Sequence, residues 1–163
     1  MNKVLIILLL AGFNAVAQKK EAAKIKVTGL VEHTLSLSVD DLKARKVLVG
    51  KSFRVVSAEG QVKKTIAAYR GVTLKSLVDE AKTVMPNPKE KGQFYVLITG
   101  NDGHKVVFSW SELYNSTSGD KALVIFEDNS RPIVKDGAFS LICPADIFTE
   151  TRYVKSVKSI EVG

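Results

Sequence analysis

The chain has 163 residues, of which 45% are hydrophobic and 25% charged, and a formal net charge of +7. That length makes one domain able to bury a core without disulfides, and its one cysteine, Cys143, has no partner for an internal bridge. The composition excludes a disulfide-stapled miniprotein, a collagen-like fibre, a disordered tail and a polytopic membrane protein.

The chain opens on Met1-Asn2-Lys3, an apolar run from Val4 to Gly12, and Ala15-Val16-Ala17, a small-x-small site. This order predicts a secretory signal peptide over residues 1–17, cleaved after Ala17, with a flexible leader over 18–23 and one domain over 24–163. The run is shorter than the roughly 20 residues a spanning helix needs, so no stable membrane insertion is expected after cleavage. An uncleaved anchor is the alternative. No Arg-Arg pair precedes the run, which marks a Sec-type signal and a periplasmic or secreted protein. Cleavage removes Lys3 alone among the charges and leaves a net charge of +6. The lysines are dispersed along the sequence (Lys24, Lys26, Lys43, Lys63, Lys64, Lys155 and Lys158) without aromatic interleaving. No nucleic-acid partner is expected. A solvated basic surface is the simple reading, and a small anionic ligand or envelope protein the functional one.

Alternating apolar residues predict strands at Ile25–Val27 and Leu35–Leu37, with a turn from Gly29 to Thr34. Ser38 and Asp41 form a capping-box pattern ahead of a short helix. Phe53–Val56 and Val62–Tyr69 read as a strand pair around Ala58-Glu59-Gly60, closed by Gly71. Thr73 caps an amphipathic helix over Leu74–Lys82, in which Leu74, Leu77, Val78 and Ala81 recur at helical spacing. Met85-Pro86-Asn87-Pro88 ends it. Phe94–Thr99 and His104–Phe108 flank Asn101-Asp102-Gly103, a strong hairpin signal. Ser109 caps a single helical turn through Leu113. Ala122–Phe126 is a strand, Glu127 to Ser130 a turn, and Phe139–Cys143 a buried strand. Arg152–Val162 is the last strand. Many short strands with one good helix make an α+β, β-rich domain.

Chemistry-bearing clusters are sparse. His33, His104 and Cys143 stand at no metal-ligand spacing, so no metal site is expected from the residues. Cys143 lies in an apolar strand, where cysteine acts as a small hydrophobe. No nucleophile elbow or phosphate-binding glycine loop is present. Asp40-Asp41 suits a helix start and Asp79-Glu80 a solvated helix face.

The order of landmarks nevertheless resembles a known family. Ile25–Glu32 followed by Leu35–Leu42, then Tyr69-Arg70-Gly71-Val72-Thr73-Leu74, Asn101-Asp102-Gly103 with Val106 and Phe108, Ala122–Phe126 with Arg131-Pro132-Ile133, Phe139–Asp146, and Arg152–Val162 are similar to successive motifs of the sulfite oxidase-type molybdopterin-binding domain. The resemblance spans nearly all of Lys24 to Val162. It implies the β-rich α+β fold of that family, and molybdopterin as a possible cofactor.

The departures carry equal weight. In active members of the family a cysteine thiolate ligates molybdenum about a dozen residues before the aromatic-x-Gly landmark. The matching stretch here, Val55–Gly60, has no cysteine. Serine or glutamate would offer oxygen, not a soft thiolate. An arginine of the family near the pterin phosphate is replaced by Ser140. The family's holoproteins are exported folded by the twin-arginine route, whereas a Sec-type signal exports an unfolded chain. The expectation is therefore an exported module without molybdenum redox catalysis and with no cofactor, binding a small anionic ligand or partner at the former cofactor cleft. Its candidate residues are Arg54, Ser57, Glu59, Tyr69, Arg70, Arg131 and Arg152. No residue is expected to be catalytic. Two alternatives stay open: an active molybdopterin-dependent oxidoreductase with a non-cysteine ligand, and a structural or interaction domain of the cell envelope.

Overall fold

The computed structural model describes residues 23–85, 87–135 and 137–163; the expected signal peptide and most of the leader lie outside them. Two sheets form the body of the domain. The first has strand order β2-β1-β11-β5-β6, from Leu35–Leu37, Ile25–Gly29, Val157–Val162, Tyr95–Gly100 and Lys105–Ser109. The second runs β10-β9-β7-β4-β3, from Val154–Lys155, Ser140–Ile142, Leu123–Asp128, Val62–Thr73 and Leu48–Val56, with β8 (Arg131–Pro132) added beside β7. Among the described residues only β1 and β11 pair in parallel; the other ladders are antiparallel. This is the α+β, β-rich domain expected from the sequence.

Three short helices close the sheets. In α1 (Val39–Lys43) the capping box forms in both directions: Ser38 Oγ accepts from Asp41 N–H, and the Asp41 carboxylate accepts from Ser38 N–H. The Ser38 hydroxyl also donates to the Asp41 carboxylate, and with the Ser38 N–H it holds that carboxyl below its usual range. Thr73 caps α2 (Leu74–Ala81), whose Leu74, Leu77, Val78 and Ala81 are all buried, as their spacing predicts. Ser109 caps α3 (Trp110–Asn115) through the Glu112 amide at 3.1 Å.

The second sheet is buried on both faces at β7 and β9, and that explains the unbroken apolar run of β7. Val124 and Phe126 join the main core with α2 and the first sheet, while Leu123 and Ile125 face a second cluster holding Phe53, Ile66, Ile142 and Tyr153. Alternation in β7 is therefore between two cores, not between core and water.

Three expectations shift at their boundaries. β4 does not end at Tyr69: it continues to Thr73 because Arg70–Thr73 pair with β7. Gly71, read as closing the pair, instead sits mid-strand, and a Cβ there would press on the Val124 carbonyl and Ile125 Cα. The turn expected over Glu127–Ser130 shrinks to Asn129-Ser130, both left-handed, which is the backbone a two-residue hairpin requires. The single last strand is split. Thr149–Arg152 is a 3-10 turn, β10 pairs with β9 in the second sheet, and β11 joins the first. The chain changes sheet at Ser156, where φ is +47.

Arg152 clasps this junction. Its guanidinium binds the Asp146 carboxylate through two nitrogens and the Glu112 carboxylate through a third contact, with its Cζ 4.6 Å from the Phe108 ring centroid. One side chain thus ties α3 and β6 to the loop after β9. Its two hydrogen-bonded carboxylates hold the guanidinium firmly in its charged form.

Two stability experiments follow from this packing. Gly71→Ala destabilises the fold by about 2 kcal/mol in urea unfolding, since backbone and not a movable side chain must give way. Gly92→Ala, in open space, leaves the midpoint unchanged. Arg152→Met costs about 2 kcal/mol, because it strands Asp146 and Glu112 without their cation; retention of wild-type stability would show the clasp to be dispensable.

Candidate functional site

The seven candidate residues do not converge on one point. Arg54 lies on β3 with its side chain exposed, and its carbonyl accepts from Thr149 Oγ1 at 2.6 Å. Ser57 is buried and serves the β3–β4 turn: its amide donates to Gln61 O at 2.9 Å, and its Oγ accepts from Gln61 N–H at 3.3 Å. Glu59 is exposed on that turn, and a hydrogen bond from Ser57 keeps its carboxyl below the ordinary value. Tyr69 lies across Gly50 of the neighbouring strand, where a Cβ would strike its ring. Half-burial there raises its phenol pKa.

The remaining arginines separate further. Arg70 is paired with Glu127 at 3.2 Å. Arg131 is exposed on β8, opposite Asp128. Arg152 is occupied in the junction clasp. Arg54 and Tyr69 do share a small hollow of about 190 Å³, with Lys51, Pro144 and Ile147. Tyr69 and Arg70 share another, of about 330 Å³.

A larger hollow, about 440 Å³, forms elsewhere, from residues that look unrelated in the sequence. Lys63 and Lys64 come from β4, Lys155 from β10, Asp102 and His104 from the β5–β6 hairpin, Glu150 from the 3-10 turn, and Val55 and Tyr153 complete the wall. Lys64 donates to Asp128 and to the Tyr153 hydroxyl, each at 3.1 Å. These bonds raise its pKa despite the opposing effect of burial. Lys155 also approaches the Tyr153 ring, at 6.0 Å. His104 Nε2 lies 3.3 Å from the Thr151 carbonyl, and the Asp102 carboxylate accepts from the His104 amide. Three lysines thus line one recess together with two acidic residues, and the Lys63 ammonium donates to Gln61 Oε1 at 2.8 Å.

The dispersed lysines of the sequence hid this site. Lys63 and Lys155 are 92 positions apart, on β4 and on β10 at the far edge of the same sheet, and only the folded chain brings them to one hollow. The single local signal was the Lys63-Lys64 pair beside a hairpin turn.

The donor set does not suit a thiolate-bound molybdenum. Cys143 is buried among core side chains, its Sγ 4.0 Å from the Ser118 carbonyl, and burial pushes its thiol up to about 11. Ser57 spends its hydroxyl within its own turn. Ser140, where the resemblance expects an arginine, presents a buried hydroxyl with no hydrogen-bond partner among the described residues. Among those residues no group of three His, Cys, Asp or Glu side chains is placed to hold a metal ion.

Comparisons with known proteins agree with the architecture. No curated protein matches the chain. Among solved structures, the sulfane dehydrogenase SoxCD from Paracoccus pantotrophus superposes with a TM-score of 0.64 at 18% identity, over 86% of this chain. The match takes in 38% of the SoxCD chain, so it speaks for a shared fold and for a part of that larger protein. The family model described as the oxidoreductase molybdopterin binding domain matches residues 13–163. With the sequence landmarks, the two-sheet fold and that match in agreement, the chain belongs to the oxidoreductase molybdopterin binding domain family.

Proposed function

We propose that this member of the family is an exported binding module: it takes a small anionic ligand in the lysine-lined hollow and does not perform thiolate-molybdenum redox chemistry. The observation that carries this reading is the convergence of Lys63, Lys64 and Lys155 on one recess. The recess begins at Val55, the first residue of the stretch where the resemblance seeks the missing thiolate. Ammonium groups act as mobile point charges, which suits a compact oxyanion rather than a planar ligand with a fixed hydrogen-bond pattern. Asp102 and Glu150 at the rim limit the excess of positive charge and disfavour simple accumulation of any polyanion.

The export half of the proposal rests on Met1–Ala17 and the missing Arg-Arg pair. The redox half rests on the buried Cys143 and the self-satisfied Ser57.

Calorimetric titration with pyrophosphate at low salt tests the binding half. Lys155→Ala and Lys63→Ala weaken binding about tenfold each, equivalent to about 1.4 kcal/mol. Arg131→Ala leaves it unchanged. Equal affinity in Lys155→Ala and the parent protein would remove the hollow from consideration. The redox half is checked by elemental and pterin analysis of protein purified from its native envelope. Molybdenum is expected to be far below one atom per chain; a value near one per chain would establish a non-cysteine ligand and overturn this half.

A further inference from the structure

The face around Tyr69 combines exposed apolar side chains, unmet positive charge and an uncovered strand edge. Val49 is 70% exposed and Ile147 82% exposed, on either side of Tyr69 and Pro144. Tyr69 and Pro144 line both the hollow that contains Ile147 and a neighbouring one, of about 340 Å³, that contains Val49. Val49 pairs with Arg70 and Gly50 with Tyr69, so Val49 and Tyr69 flank the β3 edge from opposite faces of the sheet, and exposed apolar side chains of this size mark an edge that nothing covers.

The charges at its rim are not balanced. Each carboxylate bordering these two hollows already has a cation within the chain: Asp120 has Lys75 and Asp146 has Arg152. The side chains of Lys51, Arg54 and Lys121 have no ion pair or hydrogen bond among the described residues. An acidic partner would complete the rim. A second copy would set the same three cations against themselves, in a chain whose net charge is already +7.

The edge supplies the third element. β3 is the outermost strand of its sheet. Its second half is plugged by one side chain, since Thr149 Oγ1 accepts from Val56 N–H at 2.8 Å and donates to the Arg54 carbonyl at 2.6 Å. The first half, Leu48–Lys51, has no such plug among the described residues, and it borders the apolar patch.

We infer that this face docks an extended acidic protein segment, which adds as a strand to the first half of β3. The segment's apolar side chains seat against Tyr69 and Ile147 on one face of the edge, and its carboxylates meet Lys51, Arg54 and Lys121. Backbone pairing supplies affinity and the alternating side chains supply selectivity.

The probe is a capped peptide of about eight residues, a typical strand's length or slightly more, alternating glutamate and valine, titrated into isotope-labelled protein and followed by amide shifts. Saturable shifts at Leu48–Lys51, Tyr69 and Ile147 are expected. The exposed double variant Lys51→Glu, Arg54→Glu binds it at least tenfold more weakly and gains binding of the lysine-valine counterpart. Lys155→Ala leaves the response unchanged, which separates this face from the lysine hollow. Absent saturation, shifts centred on Lys63 and Lys155, or equal binding by the double variant would each overturn the inference.

Discussion

The two sheets of this domain are joined by a single change of direction, and the position of the hollow follows from it. At Ser156 the backbone turns left-handed, so β10 completes one sheet and β11 the other. The Ser156 carbonyl accepts from the Asn101 amide at 3.0 Å, which draws the β5–β6 hairpin against the junction. Gly100 makes this approach possible, because a Cβ there would meet the Lys155 carbonyl and the Asp102 carboxylate. Lys155, Asp102 and His104 thereby become neighbours of the β3–β4 hairpin. The core does the rest: a sheet apolar on both faces keeps β4 and β9 fixed beneath them.

Positive side chains in this protein fall into two sorts, and their surroundings separate them better than their type does. Arg70 and Arg152 face carboxylates of their own chain, and their charge serves to hold elements together. Lys155 and Lys51 stand where the fold offers no matched acid. The division does not follow residue type: Lys64 is held by Asp128 and Lys75 by Asp120, whereas Arg54 stands without an ion pair among the described residues. The four arginines among the candidate cleft residues are therefore divided, Arg70 and Arg152 in ion pairs and Arg54 and Arg131 exposed.

Much of the architecture was legible because local signals agreed. The caps at Ser38, Thr73 and Ser109, the Asp-Gly hairpin and the helical spacing of Leu74, Leu77 and Val78 act over a few residues and need no tertiary context. The family landmarks, spread from Lys24 to Val162, implied the β-rich α+β class, which the two sheets bear out. What escaped was set by distant partners. The extension of β4 past Gly71 depends on β7, and the split at Ser156 depends on two sheets competing for one segment. Ser57 looked like a free hydroxyl beside the missing ligand position, yet its own hairpin turn uses it. The lysine recess was invisible because its members come from separate elements.

The 3-10 turn Thr149–Arg152 carries a different task on almost every residue. Thr149 seals the edge of β3, Glu150 borders the lysine recess, the Thr151 carbonyl faces His104, and Arg152 closes the junction clasp. These four duties point in different directions and are spaced by one helical turn. Inserting or removing a single residue there would rotate all of them at once. In a diverging lineage this short stretch should change its letters far more readily than its length.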